Sequence, residues 1–358
     1  MMWLSLSFNL QAQDVTDNIH VETAGTLNSL IPNSTKYLIT DLTLSGKLNG
    51  TDIKFIREMA GYSTEGRLIK LNLADVNIVA GGDSYIFMNE QYYTKSNSIS
   101  GYMFSGLNKL TSIVLPNSVT SIETAAFQGC EGLTSITVPN SVTSIGGGED
   151  GNGPFAYCTG LTSITLSNSI TSINRSTFMG CIGLTSVTIP NCVTFIDSFA
   201  FSYCKGLASI TIPNSVTSMG ESVFYNCPGL KKIHSKNAVP PTTVDKTFFD
   251  LNKTTCKIYV PKGFSAAYSE AMGWKDFTNI EEESTAIPLT KANNINVYTK
   301  DDAIVVTGAK FGDNISIYTE SGTLLQSTKV TDNIVRINIF NGHTYLIKTT
   351  EKTFKIVL

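Results

Sequence analysis

The side chains in this 358-residue chain with the clearest chemical potential are seven cysteines, five of which recur in one repeated register. These are Cys130, Cys158, Cys181, Cys204 and Cys227. Thiols repeated at one position could form disulfides or bind a metal. Zinc sites draw on Cys-x-x-Cys or closely spaced His pairs. No Cys-x-x-Cys occurs, and His20, His234 and His343 lie in separate segments. Neighbouring thiols could come within disulfide reach, but their Cβ vectors would all point the same way, into a core. The expected role is a stack of buried thiols behaving as small hydrophobes. Cys192 and Cys256 fall outside the register. Other chemistry is sparse. The carboxylates are scattered, so no catalytic pair can be nominated, and there is no Gly-x-Ser-x-Gly elbow, phosphate loop or dinucleotide fingerprint. One segment, Gly146–Pro154, gathers the oxygen donors Glu149, Asp150 and Asn152. Calcium is one reading, but the ligand order of an EF-hand is missing, and an ordinary surface bulge is preferred. No enzyme, cofactor or metal site is expected.

The elements that carry these residues are set by a repeat. A Leu recurs at 110, 133, 161, 184, 207 and 230, and a Phe at 104, 127, 155, 178, 201 and 224. The period is 23 residues, and the coil holding Gly146–Pro154 is five longer than its neighbours. Within one unit, Ile136 and Val138 alternate with Ser135 and Thr137, the signature of a half-buried strand. Pro139 ends that strand, and Asn140 supports a turn. Val142 and Ile145 supply a second inward side, and the Phe position fills a third. One coil cannot bury its own apolar face, so coils must stack and their strands pair in parallel.

This unit, with Phe, Cys, Leu, Ile, Pro, Val and Ile-Gly in fixed order across 104–233, resembles the BspA-like leucine-rich-repeat family of Bacteroides surface proteins. The fold expected is a leucine-rich-repeat solenoid of about six coils, mostly strand and turn, with capping helices. Leu42-Thr-Leu44 and Leu71-Asn-Leu73 read as strands of irregular coils. Thr51–Ala60 reads as a helix with Thr51 as N-cap and Gly61 as its stop. This part is similar to the N-terminal cap of Bacteroides members of the family. Residues 80–100 read as a long loop. At the other end, Lys257–Pro261 reads as a last strand and Gly263–Met272 as a short helix, with Trp274 and Phe277 as packing anchors. That series is similar to the family's closing segment.

Residues 1–13 read as the remnant of a secretory signal, 14–103 as cap and irregular repeats, 104–233 as regular repeats, and 234–286 as a C-terminal cap. After an acidic linker at Glu281–Pro288, seven short runs between Ile295 and Leu358 predict a small β-sandwich module over 287–358. It resembles C-terminal domains of exported Bacteroidetes proteins, including sorting domains.

Composition narrows the partners. Charged residues make up only 15%, and net charge is −3. No basic stripe invites nucleic acid, and no run of about 18 apolar residues suits a transmembrane helix. The outward face of the strand ladder is Ser135, Thr137, Ser163, Thr165, Ser186, Thr188, Ser209 and Thr211, preceded by Ser112 and Val114. Solenoids bind through such faces. A flat hydroxyl array without charges or aromatics also reads as a solvated sheet, or as suited to glycans or ice. A second candidate is an aromatic patch at Phe195, Phe199, Tyr203 and Tyr157, where side chains depart from the consensus. Against it stands the reading that Phe195 and Phe199 fold inward and repair packing. The resemblance implies an exported protein at the surface of a Gram-negative cell, associated with the outer membrane. Its partners would be host extracellular-matrix or bacterial surface proteins, with glycans as the second class and an envelope scaffold as the third reading.

Overall fold

A computed structural model describes residues 15–88, 90–148, 152–283, 296–300, 303–307, 314–319, 322–329, 334–338, 344–349 and 353–357. The signal-like residues 1–13 and the acidic pair Glu149 and Asp150 lie outside that set. The chain divides into two compact units, residues 1–282 and 283–358.

The first unit is a solenoid of about eleven turns. Six strands form one sheet, from Thr16–Val21 through Asp41–Leu48, Lys70–Ile78, Ser112–Val114 and Ser135–Thr137 to Ser163–Thr165. The rung at Ser186–Thr188 follows, bridged in parallel from Thr188 to Thr211. Four more strands continue from Ser209–Ile212 through Lys232–Ser235 and Lys257–Pro261 to Ile280–Glu283. Register is strict: Ser163, Ile164 and Thr165 lie opposite Ser135, Ile136 and Thr137. With a period of two, that register sends every Ile inward and every hydroxyl outward.

About six coils was therefore an undercount. The regular repeats are the middle of the ladder, and rungs continue on both sides. The strands expected at Leu42-Thr-Leu44, Leu71-Asn-Leu73 and Lys257–Pro261 are such rungs, and Thr16–Val21, Lys232–Ser235 and Ile280–Glu283 add three that the repeat pattern did not mark; the connections of the flanking rungs differ. Between Asp41–Leu48 and Lys70–Ile78 the return path is a helix, α2 (Gly50–Met59), after a shorter α1 (Leu27–Leu30). Ile53, Ile56 and Met59 of α2 are buried, as their spacing predicts. The N-cap is Asn49, not Thr51. The Asn49 side chain accepts from the Thr51 amide at 3.0 Å, and the Asp52 carboxylate accepts from the Asn49 amide at 2.9 Å. The same carboxylate takes the amides of Gly25 and Leu27 at 2.6 and 3.0 Å, so it ties α1 to α2. Gly61, at φ +83°, adopts the left-handed turn that stops the helix. Residues 80–100 are not a plain loop. They hold a hairpin, Gly81–Phe87 with Gln91–Thr94, and a short rung at Ser98–Ile99.

The second side of each coil is a two-residue strand. Ser98–Ile99, Ser121–Ile122 and Ser144–Ile145 form one short sheet, and Ser172–Ile173, Phe195–Ile196 and Ser218–Met219 another. The third side is a stack of turns. Tyr102, Ala125, Ser176, Phe199 and Ser222 have φ between 53° and 60°, and four residues later Gly106, Gly129, Gly180, Tyr203 and Asn226 are again left-handed. This double reversal lets alternate amides reach the next coil: Phe178 donates to the Ala200 carbonyl at 2.9 Å and Gly180 to that of Ser202 at 2.8 Å. The intervening Met179 donates back to Ser176 at 3.0 Å.

Between these turns lies the phenylalanine ladder. Phe104, Phe127, Phe155, Phe178, Phe201 and Phe224 are fully buried, with successive ring centroids 5.4 to 5.9 Å apart and planes within 20° of parallel. Phe248 extends the stack at 6.2 Å. Trp274 and Phe277 then meet Phe248 edge-on at 4.8 and 5.1 Å and close the column. The polar atoms of this closure are satisfied. Trp274 donates to the Pro241 carbonyl at 3.0 Å, and the Tyr268 hydroxyl donates to that of Asn237 at 2.9 Å.

The second unit holds seven strands, from Asn296–Lys300 to Thr353–Val357, in a three-stranded and a four-stranded antiparallel sheet. Ile304, Val306, Ile315, Ile317, Ile337 and Ile347 are among its buried side chains. Of the linker expected at Glu281–Pro288, the first three residues belong to the strand Ile280–Glu283 and the rest lies outside the described residues.

Removing one ring from the middle of the column leaves a cavity that stacked neighbours cannot fill. Phe178→Ala should cost about 3–5 kcal/mol in urea unfolding. Tyr157→Ala, at a half-exposed position, should stay within about 0.5 kcal/mol.

Candidate functional site

The inward row of the long ladder, including Leu42, Leu71, Ile113, Ile136, Ile164, Val187, Ile210, Ile233 and Ile258, is at most 8% exposed. The outward rows are open. Ser135, Thr137, Ser163, Thr165, Ser186, Thr188 and Thr211 are exposed and Ser209 is half-buried. All eight candidate hydroxyls thus lie on one face, in two columns. Their neighbours show what sets them apart. Thr111, Thr134 and Thr162, one residue upstream on each coil, donate their hydroxyls to main-chain carbonyls of the preceding coil at 3.0, 3.3 and 3.1 Å. On the second side Thr194, Thr217 and Thr242 do the same at 3.2 to 3.3 Å. The eight hydroxyls of the face make no such bond among the described residues. They are left with their full donor and acceptor capacity.

The face is neutral only in its middle. Register carries its two columns into Lys232 and His234, then Lys257 and Tyr259. The His234 and Tyr259 rings stack at 4.6 Å and 12°. Lys257 pairs with Glu281 at 2.7 Å, which raises the lysine pKa, and at the other end Lys70 pairs with Asp41 at 3.8 Å. The expectation of a face without charges or aromatics fails at these ends. Lys232-Ile-His and Lys257-Ile-Tyr alternate like every other rung, so the signal was present outside the consensus.

The four candidate aromatics do not form one patch. Phe195 is half-buried in a second-side strand, between Ser172 and Ser218, and borders a groove of about 440 Å³ with Asp197, Glu221 and Thr243. Phe199 packs under the Arg175 guanidinium at 4.9 Å. Tyr203 meets Tyr225 edge-on at 5.2 Å, and Tyr225 stacks on Phe249 at 5.6 Å, an aromatic row whose last two members were missed. Each follows a ladder phenylalanine directly, which is the signal that could have found them. Tyr157 stands apart, with its hydroxyl 3.9 Å from the Met179 sulfur.

The cysteine register is chemically quiet. All seven thiols are free, and the five in register are buried. Each donates to the carbonyl of the phenylalanine one coil back, at 3.0 to 3.1 Å. Burial raises the Cys181 and Cys227 pKa values to about 12 and that of Cys204 well above the usual range. Cys158 is raised by its Cys130 neighbour and then by burial. Cys256 sits in the core near the last strands, its pKa pushed to about 11 by burial. Asn152, the described member of the acidic loop, accepts from the Gln128 side chain at 2.9 Å. Among the described residues no group of three metal-binding side chains occurs, and no helix is long and apolar enough to cross a membrane.

Stacked coils, a parallel ladder and columns of like residues define a leucine-rich-repeat solenoid. Six copies of the BspA type leucine-rich repeat region match residues 91–149 and 150–281, more than half of the sequence, and the chain belongs to that family. Among solved structures, it is similar to a leucine-rich repeat protein from Bacteroides ovatus, at 22% identity over 69% of this chain and 61% of that one, with a TM-score of 0.40. A T. pallidum leucine-rich repeat protein matches at 24% identity over 46% and 64%, with a TM-score of 0.33. A leucine-rich cell surface protein from Faecalibacterium prausnitzii matches at 21% over 70% and 81%, with a TM-score of 0.29. The chain thus spans less than two thirds of the first two. No curated protein matches the sequence.

The raised thiol pKa values have two measurable consequences. In a thiol-reagent titration only the half-buried Cys192 should react in the native protein, and all seven after denaturation. Unfolded thiols ionise near about 8.5 while the folded ones keep their protons, so above that pH the unfolded state binds fewer protons. Stability should therefore be fully present below about pH 8.5 and fall as pH rises toward 12, measured by urea midpoints.

Proposed function

We propose that this chain is an exported, surface-displayed binding protein that holds a host-matrix or bacterial-surface protein along the outward face of its strand ladder. It is read as a binding scaffold rather than an enzyme, associated with the outer membrane of a Gram-negative cell. The observation that carries the reading is the contrast in hydroxyl use. Repeat threonines beside the strands spend their hydroxyls on the backbone, while those of Ser135, Thr137, Ser163, Thr165, Ser186, Thr188, Ser209 and Thr211 remain uncommitted. A rigid row of uncommitted donors and acceptors can meet a partner's polar groups without first breaking bonds of its own. Eleven rungs at about 4.8 Å give a face roughly 50 Å long, the scale of a protein interface. The stacked His234 and Tyr259 beside the neutral array supply an aromatic anchor of the kind that dominates binding energy.

A glycan ligand is the second reading, favoured by the same hydroxyls next to the same ring pair. The two separate on an array of host matrix proteins and glycans probed with the full chain. Changing Ser163, Thr165, Ser186 and Thr188 together to Ala, which removes the hydroxyls without adding charge, should weaken a protein hit by at least about tenfold, or 1.4 kcal/mol, with the circular dichroism spectrum unchanged. Phe199→Ala, at a ring held under Arg175, should leave the hit intact. A glycan hit in place of a protein hit would replace the first reading with the second. No hit of either kind would favour an envelope scaffold.

A further inference from the structure

One groove shares no residue with the ladder face. Between α2 and the hairpin Gly81–Phe87/Gln91–Thr94 opens a groove of about 820 Å³, bordered by Lys54, Arg57 and Tyr62 on one side and Phe87, Gln91 and Tyr93 on the other. Arg57 is the unusual member. It is 1% exposed, and one terminal nitrogen donates to the carbonyls of Tyr102 and Met103 at 3.1 and 3.0 Å. The Tyr62 ring lies 4.1 Å from the guanidinium carbon. Its Nε and second terminal nitrogen have no hydrogen-bond partner. A buried charged donor left idle is costly, and buried guanidinium groups are normally matched by a carboxylate. None is supplied here: the nearby Glu58 carboxylate is taken by Lys36, and no ion pair engages Arg57 among the described residues. Burial lowers the Arg57 pKa, with Tyr62 opposing it, and an arginine keeps its charge.

The rest of the groove favours a ring with two kinds of edge. Phe87 and Tyr93 are 70% and 46% exposed, large apolar surfaces on a hairpin that packs nothing over them among the described residues. Lys54 is exposed beside them and adds positive charge, against Asp83 across the groove. Aromatic faces stack on the C–H face of a sugar ring, while amide and hydroxyl groups meet its edge. We infer that this groove binds a carboxylated sugar, its ring on Phe87 and Tyr93 and its carboxylate toward Arg57 and Lys54. The inference does not rest on the ladder-face reading, since no residue is shared between the two surfaces.

The test is an NMR titration of the full chain with glucuronate, glucose as the neutral control, and a glucuronate-terminated oligosaccharide. Glucuronate should move the Arg57 Nε–H resonance and bind with a millimolar Kd, at least about tenfold tighter than glucose. Phe87→Ala and Tyr93→Ala, at exposed positions, should each weaken it by about tenfold without changing the melting temperature, and Lys54→Gln should narrow the preference over glucose. A tighter oligosaccharide points to a glycan end as the source, and an equal one to the free acid. Glucose binding as well as glucuronate, an unmoved Arg57 resonance at saturation, or full binding by Phe87→Ala would each overturn the proposal.

Discussion

The whole architecture depends on one constraint: a 23-residue coil has more apolar surface than it can bury alone. Each coil offers a Phe, a Cys, a Leu, an Ile or Val pair and a Val-x-x-Ile pair, and only the coils above and below can cover them. The stacked rings from Phe104 to Phe248 are the visible result, and the column ends where Trp274 and Phe277 turn their edges to it. Like side chains fall at like positions because a parallel ladder repeats register without slippage. The thiols obey the same rule. Each is set where it donates to the phenylalanine carbonyl of the preceding coil, a bond that alanine, with no donor, could not make.

That constraint also shapes what the surface can be. If the inward positions are spoken for, recognition must use the outward columns, the turns or the ends. The outward columns hold small hydroxyls because neighbouring rungs stand close, and like charges repeated at that spacing would repel. Charge enters at the ends, where Asp41 meets Lys70 and Lys257 meets Glu281 on adjacent rungs, and where Lys232 stands beside Lys257 in one column.

Much of this was legible in the sequence. The period, the three inward sides and the outward Ser and Thr columns follow from alternation and from proline placement. Three things were not. The double left-handed turn at positions such as Phe199 and Tyr203 has no residue signature, because glycine, serine, tyrosine and asparagine all occupy it. Of the outer rungs, those at Leu42-Thr-Leu44, Leu71-Asn-Leu73 and Lys257–Pro261 were read as strands, while Thr16–Val21, Lys232–Ser235 and Ile280–Glu283 escaped because they lie outside the consensus repeat. The aromatics that depart from the consensus were grouped by sequence, whereas Phe195 lies on the second side, and Phe199 and Tyr203, at the two reversals of one third-side turn, meet different partners, Arg175 and Tyr225. Hydrogen-bond accounting, which singles out the ladder hydroxyls and Arg57, needs coordinates, since neither residue type nor spacing says which groups are already engaged.

The claim that matters most is that the uncommitted hydroxyl columns are where the ligand lies. Threonine-methyl labelling of the full chain reads it directly, because Thr137, Thr165, Thr188 and Thr211 line one column while Thr242 and Thr243 stand by the groove next to Phe195. On adding a protein ligand recovered from the matrix array, the four ladder methyls should shift together and those at Thr242 and Thr243 should stay still. Shifts confined to Thr242 and Thr243, with the ladder methyls unmoved, would contradict the account.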